Sequence, residues 1–179
     1  MPGILAEITS LEQHIQHLAD FPQEYRPSQC PHCYKAGVWI HGYYGRTADH
    51  NERTGGRLNP IPIPRFFCPH CRKTCSTLPE CIPPRRWYLW TIQQVFILSL
   101  LTGGQLPSVS PSRCPGRVTI GRWWNWLKEK FPLHADTLRA RDPDLGRVSG
   151  FHEFWRACLD KMPLSEAMYW LHKNGLTIP

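Results

Sequence analysis

The chain has 179 residues and a mass of 20.8 kDa, room for one ordinary domain or two small ones and too little for a large catalytic fold with accessory modules. Hydrophobic residues at 41% and aromatics at 12% exclude a disordered chain, while 18 Pro and 13 Gly predict short elements and irregular connections. The net charge of +7 is unevenly placed: residues 1–21 hold three acids and no Lys or Arg, residues 22–132 hold fifteen bases against five acids, and residues 133–179 hold six of each. A basic excess confined to the middle points to a polyanionic partner, most economically nucleic acid, with a solvated basic face as the plain alternative.

In the N-terminal segment, 1–21, Ile4, Ile8, Leu11, Ile15 and Leu18 are spaced four, three, four and three. That stripe predicts an amphipathic helix from about residue 4 to residue 19, stopped by Pro22. The stripe either packs on its own protein or forms a short seam for a homodimer or a protein partner; about two and a half heptads are marginal for an independent coil.

Residues 22–84 contain two identical knuckles, Cys30-Pro31-His32-Cys33 and Cys68-Pro69-His70-Cys71. Each CxxC turn can aim two thiolates at one point, and two such turns make the closed tetrahedral site that zinc prefers in structural positions. One Zn2+ held by Cys30, Cys33, Cys68 and Cys71 is therefore expected to support the fold and to carry no chemistry. His32 and His70 are alternative ligands made superfluous by the complete cysteine set. The β-branched and aromatic stretches 38–44 and 61–67 predict strands, the second an edge or irregular strand because of its prolines. Residues 47–60 between them are a polar tip, read either as a mobile loop or as a basic finger with Arg46, Arg53 and Arg57 on phosphates. Cys81, Cys114 and Cys158 lack a CxxC partner and are expected as small buried hydrophobes.

The knuckle pair, the strand end Gly42-Tyr43-Tyr44-Gly45-Arg46 and the closing stretch Arg65-Phe66-Phe67-Cys68-Pro69-His70-Cys71-Arg72-Lys73-Thr74-Cys75-Ser76 resemble the zinc ribbons at the N-terminus of many insertion-sequence transposases and related accessory proteins. The resemblance places Cys75 where that family has Phe, which makes it a core residue and not a fifth ligand. The tip is longer than the family's hairpin, so the strand register is left open.

In residues 85–132, Pro83-Pro84-Arg85-Arg86 leads into a helical pattern from Trp87 to about Leu101 with Leu89, Ile92, Val95, Phe96 and Leu100 on one side, ended by Gly103-Gly104. A second pattern from about Thr119 to Phe131 sets Ile120, Trp123, Trp124, Leu127 and Phe131 on its apolar side, and Pro132 closes it. The stretch Val118-Thr119-Ile120-Gly121-Arg122-Trp123-Trp124 resembles the recognition helix in the helix-turn-helix of transposase and recombinase DNA-binding regions. On that resemblance Arg117, Thr119, Arg122, Asn125 and Lys128 face double-stranded DNA. Arg122 and Asn125 are the base readers, since Arg pairs with guanine and Asn with adenine. Arg85, Arg86, Arg113 and Lys130 suit phosphate. Pro111 conflicts with a middle helix near 106–113, so two ordinary amphipathic helices with a tryptophan-rich core are the alternative.

Residues 133–150 read as a polar linker and 151–179 as a C-terminal helical hairpin, with Phe151, Phe154, Trp155, Cys158, Leu159 and Met162 at helical spacing. Its aromatic face either covers the core or docks a partner. The expected fold is thus a small α+β protein: a four-cysteine zinc ribbon of short antiparallel strands, a helix-turn-helix-like domain and a helical hairpin.

No apolar stretch is long enough to span a bilayer, and no basic segment followed by an apolar one marks a secretory signal. The expectation is a cytoplasmic, nucleoid-associated protein in a reducing compartment, where eight cysteines argue for metal before disulfides. The acids after the second helical pattern have too little chain to build a two-metal nuclease, and nucleophile and phosphate-loop motifs are absent. The sequence reads as a non-enzymatic DNA-binding protein without a small-molecule substrate or a membrane partner, serving as a mobile-element accessory factor or a transcriptional regulator. An interaction adaptor, or a binder of single-stranded RNA or DNA through Trp39, Tyr43, Tyr44 and Phe66, is the alternative.

Overall fold

The computed structural model describes residues 3–47, 58–84, 88–105 and 115–178. Arg53 and Arg57 of the tip, Arg85 and Arg86 of the connector, the 106–113 turn with Arg113, and Cys114 lie outside the described residues. The chain divides into two compact units, Met1–Trp87 and Tyr88–Pro179.

The first unit opens with β1 (Gly3–Leu5), which pairs in parallel with β5 (Thr77–Pro79). Helix α1 spans only Leu11–Asp20, so the helix expected from residue 4 is corrected. Its start is set by a capping box: Ser10 Oγ accepts from the Gln13 amide, and Gln13 Oε1 accepts from the amides of Ser10 and Thr9. Ile4 consequently lies in a strand and Ile8 in the turn before the helix, and the five-residue stripe is not one helix face. Ile8 and Leu18 are buried with Tyr25, Val38, Phe66 and Cys75 in the unit's own core, and Leu11 and Ile15 are half-buried. That packing removes the basis for a dimer seam through all five positions.

A three-stranded antiparallel sheet follows in the order β2 (Trp39–Arg46), β3 (Ile61–Phe67), β4 (Thr74–Cys75). β3 is central and not an edge, but β4 pairs only with Phe66 and Phe67. Pro62 and Pro64 face β2 alone within this sheet, which is where a missing N–H is tolerated. A register shift between Ile40 and Gly42 marks a bulge, and Gly42 takes φ +126, a conformation that side-chain-bearing residues avoid.

Helix α1 is pinned to β3 through a buried imidazole. His14 Nε2 lies 2.9 Å from the Pro62 carbonyl and Nδ1 lies 2.7 Å from the Tyr25 hydroxyl. A carbonyl can only accept, so Nε2 carries the hydrogen, and Nδ1 accepts from Tyr25. Burial lowers the His14 pKa and raises that of Tyr25, which keeps both neutral.

The second unit is helical: α2 (Trp90–Leu101), α3 (Arg117–Glu129), α4 (Phe131–Arg141), a 3-10 turn Pro143–Arg147, α5 (Phe151–Lys161) and α6 (Leu164–Lys173). Residues 133–150, expected as a linker, are thus structured. Pro132 opens α4 where its missing N–H costs nothing, and His134, Ala135, Leu138 and Leu145 are buried. Arg139 donates to the carbonyls of Leu145 and Val148, tying the 3-10 turn to α4. α5 and α6 make their main contacts with α2, α4 and the 3-10 turn instead of forming a separate hairpin. The Gln94 side chain caps α6 by accepting from the Leu164 amide at 2.8 Å. Val95 is 46% exposed while Trp90, Gln93, Phe96, Ile97 and Leu101 are buried, so the inward face of α2 is rotated from the expected one.

His134 is buried with its ring 4.6 Å from Trp126. Burial, helped by Lys130, pushes its pKa down from 6.5 to about 4. The unfolded chain therefore takes up this proton first, and stability present above pH 6.5 is lost as the pH falls toward 4. Six of the eight tryptophans lie between residues 90 and 170, so tryptophan fluorescence in urea reads this unit. We expect His134 to contribute a loss on the order of 3 kcal/mol across that window, removed in His134→Phe, with a remainder from His172 of the same unit, whose pKa burial also lowers; an unchanged slope in that variant would contradict the assignment.

Candidate functional site

Two knuckles of the same geometry build the site. In the first, the Cys30 amide donates to the Lys35 carbonyl at 2.9 Å and the Tyr34 amide to the Cys30 carbonyl at 2.8 Å. In the second, the Cys68 amide donates to the Lys73 carbonyl and the Arg72 amide to the Cys68 carbonyl, both at 2.9 Å. Tyr34 and Arg72 hold φ values of 60° and 56°, so each turn closes through a residue in the left-handed region directly after its second cysteine. The shared pattern is Cys-Pro-His-Cys-X-Lys, longer by two positions than the CPHC motif alone. The added Lys was legible as a repeat; the strained position X was not, because Tyr and Arg carry no signal for it.

The turns bring four sulfurs together. Cys30 Sγ is 3.6 Å from Cys71 Sγ, Cys33 Sγ is 3.6 Å from Cys68 Sγ, and all four lie within 4.8 Å of one another. A tetrahedral ion about 2.3 Å from each sulfur needs sulfurs about 3.8 Å apart, so the donor set fits a metal ion. Cys30 and Cys68 are fully buried and Cys33 and Cys71 half-buried, packed against the core of the unit. The thiols do not ionise alike. Burial opposes ionisation of Cys30, but hydrogen bonds from the backbone of His32 and Cys33 and from neighbouring thiols bring its pKa below the usual value. Burial pushes the Cys71 pKa up, and the neighbouring sulfurs add to the shift. Without a cation the cluster thus resists carrying four negative charges.

His32 and His70 are both exposed and outside the cluster. Cys75 is buried beside it, its pKa raised by burial, and is not one of the four. Cys158 is fully buried, as expected, with a pKa raised by burial to about 12; Cys81 is half-buried and reaches a similar value. Arg46 leaves the proposed phosphate finger: its guanidinium donates to the Pro83 carbonyl, and burial lowers its pKa. Among the described residues the four cysteines are the one group of three or more His, Cys, Asp or Glu placed to share an ion. Asp142 and Asp144 bond Lys161, and Glu166 pairs with Arg141.

The expected DNA-facing residues are on α3 and just beyond it. Ile120, Trp123 and Leu127 are buried; Arg117, Arg122, Asn125, Lys128 and Lys130 are exposed, and Thr119 is half-buried. At about 100° per residue, Arg122 and Asn125 share the stripe opposite the buried one with Val118 and Glu129, whereas Arg117 and Lys128 lie on the Trp124 flank. Lys128 Nζ sits 5.1 Å from the centre of the Trp124 ring, an attachment that draws it toward the protein's own surface. No helix among the described residues is long and apolar enough to cross a membrane.

Chelating the metal is expected to abolish amide-exchange protection in both knuckles, β2 and β3, because metal binding contributes on the order of 10 kcal/mol to a module of this kind. Protection in α4 to α6 should persist. Exchange followed by mass spectrometry checks this, and protection of β3 that survives full metal removal would contradict it.

A sequence model of a protein family described as a domain of unknown function (DUF6431) matches residues 30–123, more than half of the chain. The match starts at the first knuckle cysteine and ends on Trp123 within α3. Comparison with curated proteins and with solved structures gave no match.

Proposed function

The chain belongs to the DUF6431 family, and we propose that it is a zinc-stabilised, sequence-specific DNA-binding protein. Zinc is the ion of choice because four thiolates in a closed tetrahedral set match its preference and leave no open position for a water. The metal is then structural: Cys30, Cys33, Cys68 and Cys71 hold it, and no step of chemistry passes through it.

The observation that carries the DNA reading is the division of α3. It buries Ile120, Trp123 and Leu127 and exposes Arg117, Arg122, Asn125 and Lys128, the partition that a helix in the major groove requires. Arg122 and Asn125 are the base-reading pair, and Arg117, Lys130, Arg113 and the connector bases Arg85 and Arg86 contact phosphate. Lys128, drawn toward Trp124, serves phosphate better than a base edge. Glu129 on the same stripe as Arg122 sets a limit at the C-terminal end of the helix, where an acid repels the backbone. The fifteen bases against five acids in residues 22–132 supply the salt-dependent part of binding. The setting, a mobile-element accessory factor or a transcriptional regulator acting on the nucleoid, rests on the resemblance of the knuckles and of residues 118–124 to transposase regions.

Selection from a random duplex library by zinc-loaded protein is expected to enrich a discrete motif. On that motif Arg122→Ala and Asn125→Ala should each weaken binding by about 1–3 kcal/mol, with a smaller loss on random duplex. Equal losses on both probes would remove the base-reading role, and no retention of duplex would remove the reading itself.

A further inference from the structure

One half of the outer sheet face in the first unit is left uncovered. Trp39 and Phe67 are directly opposed across β2 and β3, and Arg65 opposes Gly42, two residues before Tyr44. Register therefore puts Trp39, Tyr44, Arg65 and Phe67 on one face. Their side chains form two neighbouring groups: the Trp39 and Phe67 rings are stacked, 5.7 Å between centres with 21° between planes, with the bulge residue His41 5.8 Å from Phe67; and the Arg65 guanidinium lies 4.9 Å over the Tyr44 ring. Ile61 and Ile63, further along the same face of β3, are fully buried. Trp39 by contrast is 53% exposed, so the aromatic half of the face meets solvent.

The charge around it has one sign. Residues 26–47 and 58–79 hold six Lys and Arg and no Asp or Glu. Arg72 and Lys73 are exposed on the knuckle directly after Phe67. Even after the two negative charges that four thiolates leave over a divalent ion, the excess is positive. A second copy of this chain would bring like charges together on this face, and an acidic peptide would use the cations but give no reason for the exposed stacked rings. Unpaired bases on a phosphate backbone use both.

We propose that this face, Trp39, His41, Tyr44, Arg65 and Phe67, binds single-stranded nucleic acid by stacking its rings on unpaired bases while the surrounding cations meet the backbone. The assignment differs from the set expected in sequence: Phe66 is buried in the core and Phe67 takes its place, Tyr43 pairs with Pro64 on the opposite face, and His41 is added. It is independent of the duplex reading of α3, which uses other residues in the other unit.

The test is anisotropy of labelled oligo(dT) and oligo(rU) of about 15 nucleotides, a length within the range such sites cover, beside a duplex of random sequence, with the full zinc-loaded chain. Both single strands, or one of them, should bind; a preference between them identifies the sugar recognised. Trp39→Ala should weaken single-strand binding about tenfold, as for one stacked base, with duplex affinity little changed, while Trp39→Phe retains most of the affinity. Arg65→Ala should also weaken it and flatten the salt dependence. Zinc content equal to wild type shows that each variant is folded. Failure of the wild-type chain to hold either strand, a Trp39→Ala variant that binds as wild type, or equal losses on single strand and duplex would each overturn the proposal. Loss of duplex binding alone would overturn the α3 reading and leave this one standing.

Discussion

Four sulfurs within 4.8 Å of one another set the terms for the first unit. Thiolates as close as 3.6 Å repel one another, so the cluster is unfavourable as four bare charges and favourable once a divalent cation sits among them. The two knuckles lie on either side of the β2–β3 hairpin in sequence, and the second leads directly into β4. Closing the cluster therefore joins the ends of the sheet and brings Cys30 and Cys68 into the same core as Val38, Phe66 and Tyr25. The N-terminal segment completes that core: β1 pairs with β5, and His14 ties α1 to β3. A unit of this size has little apolar area of its own, and a metal ion in the proposed role would supply what the core cannot.

The second unit closes by other means. Phe96, Ile120 and Trp123 join α2 to α3, and Phe131 meets Phe151 and Phe154 edge to face. Arg141 lies over Trp170 and pairs with Glu166, which fastens α4 to α6. These contacts hold one face of α3 and leave Arg122 and Asn125 outward. Duplex binding as proposed depends on that division of one helix, whereas single-strand binding depends on the sheet of the first unit.

Much of this was legible in the residues. The CPHC repeat named all four members of the sulfur cluster, β3 has the expected bounds, and α3 buries three of its expected apolar positions. What was missed came from tertiary partners or unread local chemistry. The four-three spacing of Ile4 to Leu18 imitates a helix, yet the Ser10–Gln13 capping box starts the helix at Leu11, and Thr77–Pro79 draws Gly3–Leu5 into a strand. The polar look of residues 133–150 hid the buried positions His134, Leu138 and Leu145, because a buried histidine reads as polar until its partners are known. The rotation of α2 follows from helices packed on more than one side, where periodicity no longer selects a single face. The exchange of Phe66 for Phe67 turns on strand register alone.

The architecture proposed for the first unit stands or falls with Cys30, Cys33, Cys68 and Cys71 closing around one zinc ion with no further ligand. Zinc K-edge X-ray absorption on the purified chain, with metal quantified per polypeptide, reads that arrangement directly. One zinc and a shell of four sulfurs at about 2.3 Å are expected. A shell containing nitrogen or oxygen, or a folded first unit that carries no zinc, would contradict it.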